Sequence, residues 1–142
     1  MARAAARAGL GADSEPLHFL HIGKCAGSQI GKIATRLNAS GPRTRIVLHG
    51  HDVALHDLPP GEAYFFSLRD PVSRFNSGFY SRKRKGRPRM FHEWSDHDRR
   101  AFEDFEHAND LAESLFAEGE QGRRAFGAMK SIRHAAQNQR DW

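Results

Sequence analysis

Cysteine and long apolar runs are what this sequence has least of. Its 142 residues include one cysteine, Cys25, which can form neither an internal disulfide nor the paired thiolates of a zinc knuckle. The nine histidines never fall in the His-Glu-x-x-His spacing of a helical zinc site, so we expect no metal. There is no run of about 18 apolar residues and no signal-peptide core, so we expect a cytoplasmic protein without a transmembrane helix.

Positive charge is concentrated in one segment rather than spread along the chain. Residues 81–89, SRKRKGRPR, carry six basic side chains, and without them the net charge of +5 becomes −1. Such a run is usually a solvated surface, but it can also attract an anionic glycan or a nucleic acid, or serve as a targeting signal. The run alone does not decide among these four interpretations.

The first 15 residues, MARAAARAGLGADSE, are rich in alanine and arginine and lack an apolar pattern. We predict a flexible N-terminal tail over residues 1–15, with a short helix or a transit peptide as alternatives. The chain length favours one domain, so residues 16–142 are predicted to form it.

Short apolar runs and helical spacing alternate along that domain. Strands are predicted over residues 17–22, 44–48 and 63–68. Apolar residues three and four apart predict the first helix: Ile30, Ile33, Ala34 and Leu37. Asp70 and Pro71 predict the start of a second helix. One face of that helix is predicted to hold Val72, Phe75, Asn76 and Phe79.

The rest of the chain is predicted to be helical. Ser95 with Asp98 has the spacing of a capping box, and Asn109 is predicted to cap the next helix, which carries Leu111, Leu115 and Phe116. A last helix is predicted from the spacing of Ala125, Met129, Ile132 and Ala136. The order of strands and helices favours an α/β fold with a parallel sheet, whose ligands bind at the carboxyl ends of the strands. Residues 23–29, 49–52 and 69–77 are therefore expected to converge on one edge.

The first of these segments, GKCAGSQ, connects a strand to a helix. Backbone N–H groups in such a turn, with a helix N-terminus behind them, form an anion site. Lys24 adds a positive charge and Ser28 a hydroxyl group, but the order of residues does not match the Walker A motif. A plain strand-to-helix turn that uses glycine for packing is the alternative.

The third segment begins with Arg69, which can donate two hydrogen bonds to a phosphate. Ser77 lies eight residues further on, in the helix that Asp70 begins. The alternative is that Arg69 pairs with Asp70 and that Ser77 is merely solvated.

Three motifs in this order resemble the sulfotransferase superfamily, in particular bacterial carbohydrate sulfotransferases of the heparan and uronyl 2-O-sulfotransferase type. HIGKCAGSQI is similar to the family's 5′-phosphosulfate loop, LHGHDVALHDLPPG to its HGH segment, and SLRDPVSRFNSGFY to its 3′-phosphate motif. The resemblance implies a P-loop-like, three-layer α/β fold with a central parallel sheet and a helical C-terminal part. Domains of this type continue beyond a segment such as residues 131–142, so we expect the chain to hold an incomplete, N-terminal portion.

The resemblance also implies a sulfuryl donor, 3′-phosphoadenylyl sulfate (PAPS), a hydroxyl acceptor that is an anionic carbohydrate, and no metal. By this resemblance the donor's 5′-phosphosulfate is bound by Gly23, Lys24, Cys25, Ala26, Gly27, Ser28 and Gln29. Arg69 and Ser77 match the pair on its 3′-phosphate. Lys24 matches the lysine that stabilises the leaving phosphate, and His51 matches the general base.

Position along the chain supports His51 over its neighbours as the base. His49 directly follows the apolar run and is expected in or against the sheet, whereas Gly50 takes His51 beyond the strand end. His56 and Asp57 are expected in solvent. Two alternatives stay open: an inactive or truncated sulfotransferase-like domain that binds nucleotide, and a basic nucleic-acid-binding module.

Overall fold

The computed structural model describes residues 15–41 and 43–141. They divide into two compact units, one running to Leu68 and including the segment from Gln139 onward, the other spanning Arg69–Asn138. Except for Glu15, the predicted N-terminal tail lies outside the described residues. Among the described residues, no helix is long and apolar enough to cross a membrane.

The first unit contains a three-stranded parallel sheet, so the predicted α/β class and parallel sheet are confirmed. Its strands are β1 (Glu15–Leu20), β2 (Thr44–Leu48) and β3 (Ala63–Phe66), in the order β2-β1-β3. Strand β1 begins and ends two residues earlier than predicted, because Glu15 donates its N–H to the Arg43 carbonyl and Ile22 turns back to the Leu20 carbonyl. Strand β3 ends at Phe66 instead of residue 68.

Helix α1 (Gly27–Ala39) connects β1 to β2 and packs against β2. Its end is tied to β2 because the Asn38 amide accepts a hydrogen bond from the Ile46 N–H and donates one to the Ile46 carbonyl. On the sheet itself, Phe19 of β1 and Phe65 of β3 pack with ring centroids 5.0 Å apart. Because all three strands run parallel, their carboxyl ends lie at one edge of the sheet.

The second unit is helical. Its helices are α2 (Pro71–Lys83), α3 (Asp96–Asp104), α4 (Ala108–Ser114) and α5 (Gly119–Ser131). The Asp70 cap is confirmed, since its carboxylate accepts the Ser73 N–H, and so is the capping box of Ser95 and Asp98. The unit's core is built on large buried side chains: Phe79, Phe102, Phe105, Leu111 and Ile132.

The predicted apolar face of α2 is confirmed at Phe75 and Phe79, which pack in the core of the second unit, and wrong at Val72 and Asn76. Val72 is 69% exposed and Asn76 is also exposed, whereas Arg74, Gly78 and Phe79 are the buried residues. The reason is non-local. Gly78 lies where any Cβ would be 3.2 Å from the Cβ of His134, and Arg74 donates to the Gln137 carbonyl. Residues 134–137 therefore pack on this side of the helix.

Two other helix boundaries differ from the predictions. Helix α4 is capped by His107 instead of Asn109, because the Asp110 carboxylate accepts the His107 N–H at 3.0 Å and the Asn109 amide binds Glu113. Helix α5 ends at Ser131, so Ala136 lies outside it. Phe116, predicted for the apolar face of α4, follows that helix and is 89% exposed.

Candidate functional site

The loop between β1 and α1 has an unusual backbone. Lys24 and Ala26 both have left-handed φ angles, 67° and 64°, while Cys25 between them does not. Alternation of this kind turns successive N–H groups toward one side and forms an anion-binding concavity. Left-handed residues other than glycine cost about 1–2 kcal/mol each, and such strain is typical of ligand sites.

The start of α1 supplies further donors. Gly27 and Ser28 begin the helix, and their N–H groups have no acceptor within it, whereas the Gln29 N–H donates to the Ala26 carbonyl at 2.9 Å. Ala26, the capping residue, makes no side-chain hydrogen bond, and the first turn has no acidic residue. The positive end of the helix dipole therefore keeps its preference for an anion. Lys24 is half-buried beside this turn, and Ser28 and Gln29 are exposed.

Glycine at position 27 is required by a neighbouring ring. A Cβ there would come within 1.9 Å of Cδ2 of His21, so the imidazole occupies the space that any other residue would need. His21 lies two residues before Gly23, at the end of β1. The candidate anion-binding loop, residues 23–29 (below, the anion loop), is thus packed directly against a histidine that the sequence motifs did not single out.

His51 is bound to the backbone of that same histidine. Its Nδ1 donates to the His21 carbonyl at 2.9 Å, and the two ring centroids are 4.0 Å apart. Because a carbonyl oxygen only accepts, Nδ1 carries the proton and the basic lone pair is on Nε2. Burial, and to a smaller extent the charge of His51, lowers the pKa of His21. His51 itself is exposed at the strand ends.

His49 lies against the sheet, in agreement with its position after the apolar run. Its N–H donates to the Phe19 carbonyl, and its Nε2 is 2.7 Å from Nδ1 of the buried His18. The other nitrogen of His18 hydrogen-bonds the Glu62 carboxylate. The sequence offered one hint of this chain, a histidine inside an otherwise apolar strand, but the partners come from distant segments.

His56 and Asp57 are both solvent-exposed, as expected. The end of β3 also reaches the loop, which the sequence reasoning missed. The Ser67 hydroxyl donates to the Cys25 carbonyl, and the Cys25 thiol donates to the Gln139 amide oxygen at 3.2 Å. All three strand ends of the first unit therefore meet around residues 23–29.

Arg69 and Ser77 belong to the second unit. Arg69 is exposed and directly precedes the cap of α2, while Ser77 is half-buried within that helix. Their joining with residues 23–29 in one donor site stays a prediction.

Half of the basic run is engaged in contacts within the second unit. Arg82 donates to both carboxylate oxygens of the buried Asp98, at 2.9 and 2.6 Å, and to two backbone carbonyls. Lys83 binds the Glu106 carbonyl, and Lys85 pairs with Glu93 and lies 5.0 Å from the Trp94 ring. These three side chains hold the segment after α2 in place.

The remaining basic residues of the run face solvent. They are Arg84, Arg87 and Arg89. The Arg87 guanidinium lies 4.9 Å from the ring centroid of Phe91, which is 50% exposed. An exposed cation beside an exposed aromatic ring suits contact with a sugar or a base.

In the part of the chain that the structure describes, no three histidine, cysteine or carboxylate side chains are grouped so as to hold a metal ion. No family model matches the chain, and neither a curated protein nor a solved structure matches it.

Proposed function

We propose that this chain is a sulfotransferase-like domain of P-loop-like fold that transfers a sulfuryl group from PAPS to a hydroxyl group, with a carbohydrate as acceptor. One observation carries the proposal: a histidine with its Nδ1 proton fixed by a backbone carbonyl lies at the strand ends, next to an anion loop. The motifs of the sequence and their order support the same conclusion.

The loop residues fit the anionic part of such a donor. Gly27 and Ser28 present first-turn N–H groups, the alternating φ angles shape the preceding turn, and Lys24 adds charge. Residues 23–29 would hold the 5′-phosphosulfate, and Arg69 and Ser77 would hold the 3′-phosphate. When bound, the donor supplies the sulfuryl group and an adenosine 3′,5′-bisphosphate leaving group.

The two candidate catalytic side chains have complementary tasks. His51 Nε2 would take the proton of the acceptor hydroxyl, since an imidazole is a suitable base near neutral pH. Lys24 would stabilise the negative charge that develops on the leaving phosphate oxygen, without giving up a proton. Neither task requires a metal.

The exposed arginines support an anionic acceptor. Arg84, Arg87 and Arg89 leave a local positive charge free to attract a sulfated or carboxylated glycan, and Phe91 offers a ring beside them. A nucleic acid is the alternative partner of the same charges.

A second candidate is a domain that binds nucleotide without transferring sulfate. Ala26 favours it, because its methyl group is exposed on the loop, where close approach of a ligand to the backbone is needed. The Cys25 N–H also donates to the Ile22 carbonyl, so one donor of the loop is already used.

The first test is a thermal-shift titration with adenosine 3′,5′-bisphosphate on wild type, Lys24→Ala and Lys32→Ala. Lys32 is exposed on α1, so Lys32→Ala removes the same charge at a position outside the loop. The proposal expects nucleotide stabilisation of wild type and Lys32→Ala, and a weaker effect on Lys24→Ala. Transfer of radiolabelled sulfate to a polysaccharide then separates the two candidates. Equal stabilisation of all three proteins would contradict the loop assignment.

A further inference from the structure

A chain of three titratable side chains, with the buried His18 between the half-buried Glu62 and His49, crosses the sheet of the first unit. Its members are Glu62, just before β3, His18 in the middle of β1, and His49 at the end of β2. His18 is 4% exposed and uses both ring nitrogens, one toward the Glu62 carboxylate and one toward His49. None of the three belongs to the anion loop or has a task in the proposed reaction.

The protons of this chain can be counted from its geometry. A carboxylate accepts from Nε2 of His18, so a neutral His18 has its lone pair on Nδ1 and must accept from His49 Nε2–H. If His18 is charged, Nδ1 donates instead, and a neutral His49 accepts on Nε2. The observed 2.7 Å contact therefore survives the uptake of one proton.

A second proton cannot be accommodated. With both imidazoles charged, Nδ1–H of His18 and Nε2–H of His49 would point at each other across 2.7 Å, with like charges on nearly parallel rings 5.0 Å apart. Glu62 can stabilise the charge on His18 but cannot supply the missing acceptor. The hydrogen bond between the His18 and His49 rings, which ties the end of β2 to β1, is then lost.

The segment that carries His51 begins directly at the end of β2. His49 is held there by its N–H bond to Phe19 and by its ring bond to His18, and residues 50 and 51 follow at once. Besides the three members, the strand register puts Arg45 of β2 and Tyr64 of β3 on the same sheet face as His18. Neither is a carboxylate, so among the described residues of the sheet and its strand ends Glu62 is the negative charge in contact with the pair.

We propose that Glu62 and His18 are positioning residues for His51, acting through His49, and that they release the end of β2 when both imidazoles are protonated. The inference rests on the proposed function only in the role that it gives to His51. The lowered pKa of His49, caused by burial and then by the charge of His18, keeps His49 neutral further into the acid range and so supports the hold near neutrality.

The test needs neither nucleotide nor sulfate transfer. Its failure would therefore not bear on the proposed function, and a failure of the proposed function would not bear on this test. Two NMR signals of the full chain are followed from pH 7.5 to 5: the exchange protection factor of the His49 amide, and the nuclear Overhauser contact between the His21 and His51 rings. We expect both to be lost together in the acid part of this range, well below the ordinary histidine pKa of about 6.5, because the pair takes up its first proton without losing the contact.

Three variants separate this chain from general acid sensitivity. Glu62→Gln removes the negative charge beside His18, so both losses should move to lower pH. His49→Gln replaces the titrating ring with an amide that can still donate to His18, so the protection of residue 49 should persist to lower pH. His56→Gln, an exposed histidine on the turn between β2 and β3, should behave as wild type.

The proposal is overturned if the two wild-type signals are lost at different pH values. It is equally overturned if neither Glu62→Gln nor His49→Gln moves the transition. Should Glu62→Gln fail to fold, His49→Gln alone decides the question, because its side chain cannot become charged in this range.

Discussion

Nδ1 of His51 is held by a backbone atom. Its Nδ1–H bond to the His21 carbonyl fixes the tautomer, so a base at Nε2 does not depend on a neighbouring carboxylate. Residues that orient a ring in this way set its chemistry as well as its direction.

We predict that His51→Ala lowers kcat by about 10²–10⁴-fold, the usual contribution of a general base, and leaves the donor Kd nearly unchanged. The acidic limb of the kcat/KM profile should disappear with it. His56→Ala is the matched control and should retain normal turnover. If His51→Ala stays active while Asp52→Ala or His49→Ala does not, His51 is not the base.

Two glycines one turn apart in α1 give a second prediction at this scale. A Cβ at Gly27 would come within 1.9 Å of the His21 ring, whereas one at Gly31 would meet Leu48 Cδ1 at an ordinary 3.9 Å. Gly27→Ala should therefore destabilise the protein by about 1–3 kcal/mol, and Gly31→Ala should stabilise it by up to about 1 kcal/mol. Urea unfolding measures both, and equal effects would contradict the packing of His21 on the loop.

At the scale of elements, α2 and α3 are joined by one buried ion pair. Hydrogen bonding to Asp98 is the main reason that the pKa of Arg82 is raised. Burial alone would raise the pKa of Asp98, but the hydrogen bonds from Arg82 and Ser95 together lower it. The same carboxylate caps α3 through the Ser95 N–H, so it serves both helices.

Arg82→Ala is predicted to cost roughly 3–5 kcal/mol of unfolding free energy, because it leaves the Asp98 charge buried without its partner. Arg84→Ala removes the same charge from the exposed side of the segment, and should change stability by no more than about 0.5 kcal/mol. Chemical unfolding followed by circular dichroism compares the two. Similar losses in both variants would mean that the ion pair contributes little.

The sequence predicted those parts of the fold that depend on nearby residues. The strand cores follow from apolar runs, the cap at Asp70 follows from the adjacent Pro71, and the cap at Ser95 follows from Asp98 three positions on. What it missed depends on partners far along the chain. The buried side of α2 is chosen by residues 134–137, and the burial of His18 is compensated by Glu62, which lies 44 residues away.

The candidate site divides in the same way. The loop at residues 23–29 and the location of His51 beyond β2 could be inferred from motif and strand end. The roles of His21 and Ser67 could not, because each contributes through a contact across the sheet edge. The basic run was also ambiguous in sequence, since nothing local reveals that Arg82 binds Asp98 and that Lys83 binds a distant carbonyl.

For the whole molecule, the two units are expected to differ in acid sensitivity. The pKa values of His21 and His49 are lowered, in each case chiefly by burial, so the folded first unit binds fewer protons than its unfolded form. Its stability should fall as the pH drops below about 6.5. The lowered pKa of Asp98 has an effect of the same sign but in a lower window, so the second unit should lose stability only as the pH falls below about 4.

Amide exchange at pH 7.5 and pH 5 tests this difference. Protection of β1, β2 and β3 should decrease at pH 5, whereas protection of α3 and α5 should change little. Equal losses in both units would contradict the assignment of acid sensitivity to the two histidines.

The charge distribution of the whole molecule gives a last prediction. Replacing Arg84, Arg87 and Arg89 with glutamine should raise the KM for an anionic polysaccharide and flatten its salt dependence, with donor affinity unchanged. A control with glutamine at Arg36, Arg99 and Arg123 removes an equal charge from exposed positions elsewhere. If both triple variants behave alike, the net charge of the protein rather than this surface attracts the acceptor.

A matched titration of the same variants with single-stranded DNA would reveal a nucleic-acid partner.

Because the His21 ring packs directly on Gly27, the residues that can be tolerated at position 27 depend on the residue at position 21. The ring fills the space of a Cβ at 27, but the hydrogen bond to His51 comes from the main chain of residue 21, which every amino acid possesses. In a library that varies both positions at once, alanine or serine at 27 should be recovered together with a residue smaller than histidine at 21. Such pairs would keep the main-chain carbonyl that accepts the hydrogen bond from His51. Covariation at positions 21 and 27 would therefore reflect the space that the two side chains share, and the proton of His51 would stay on Nδ1.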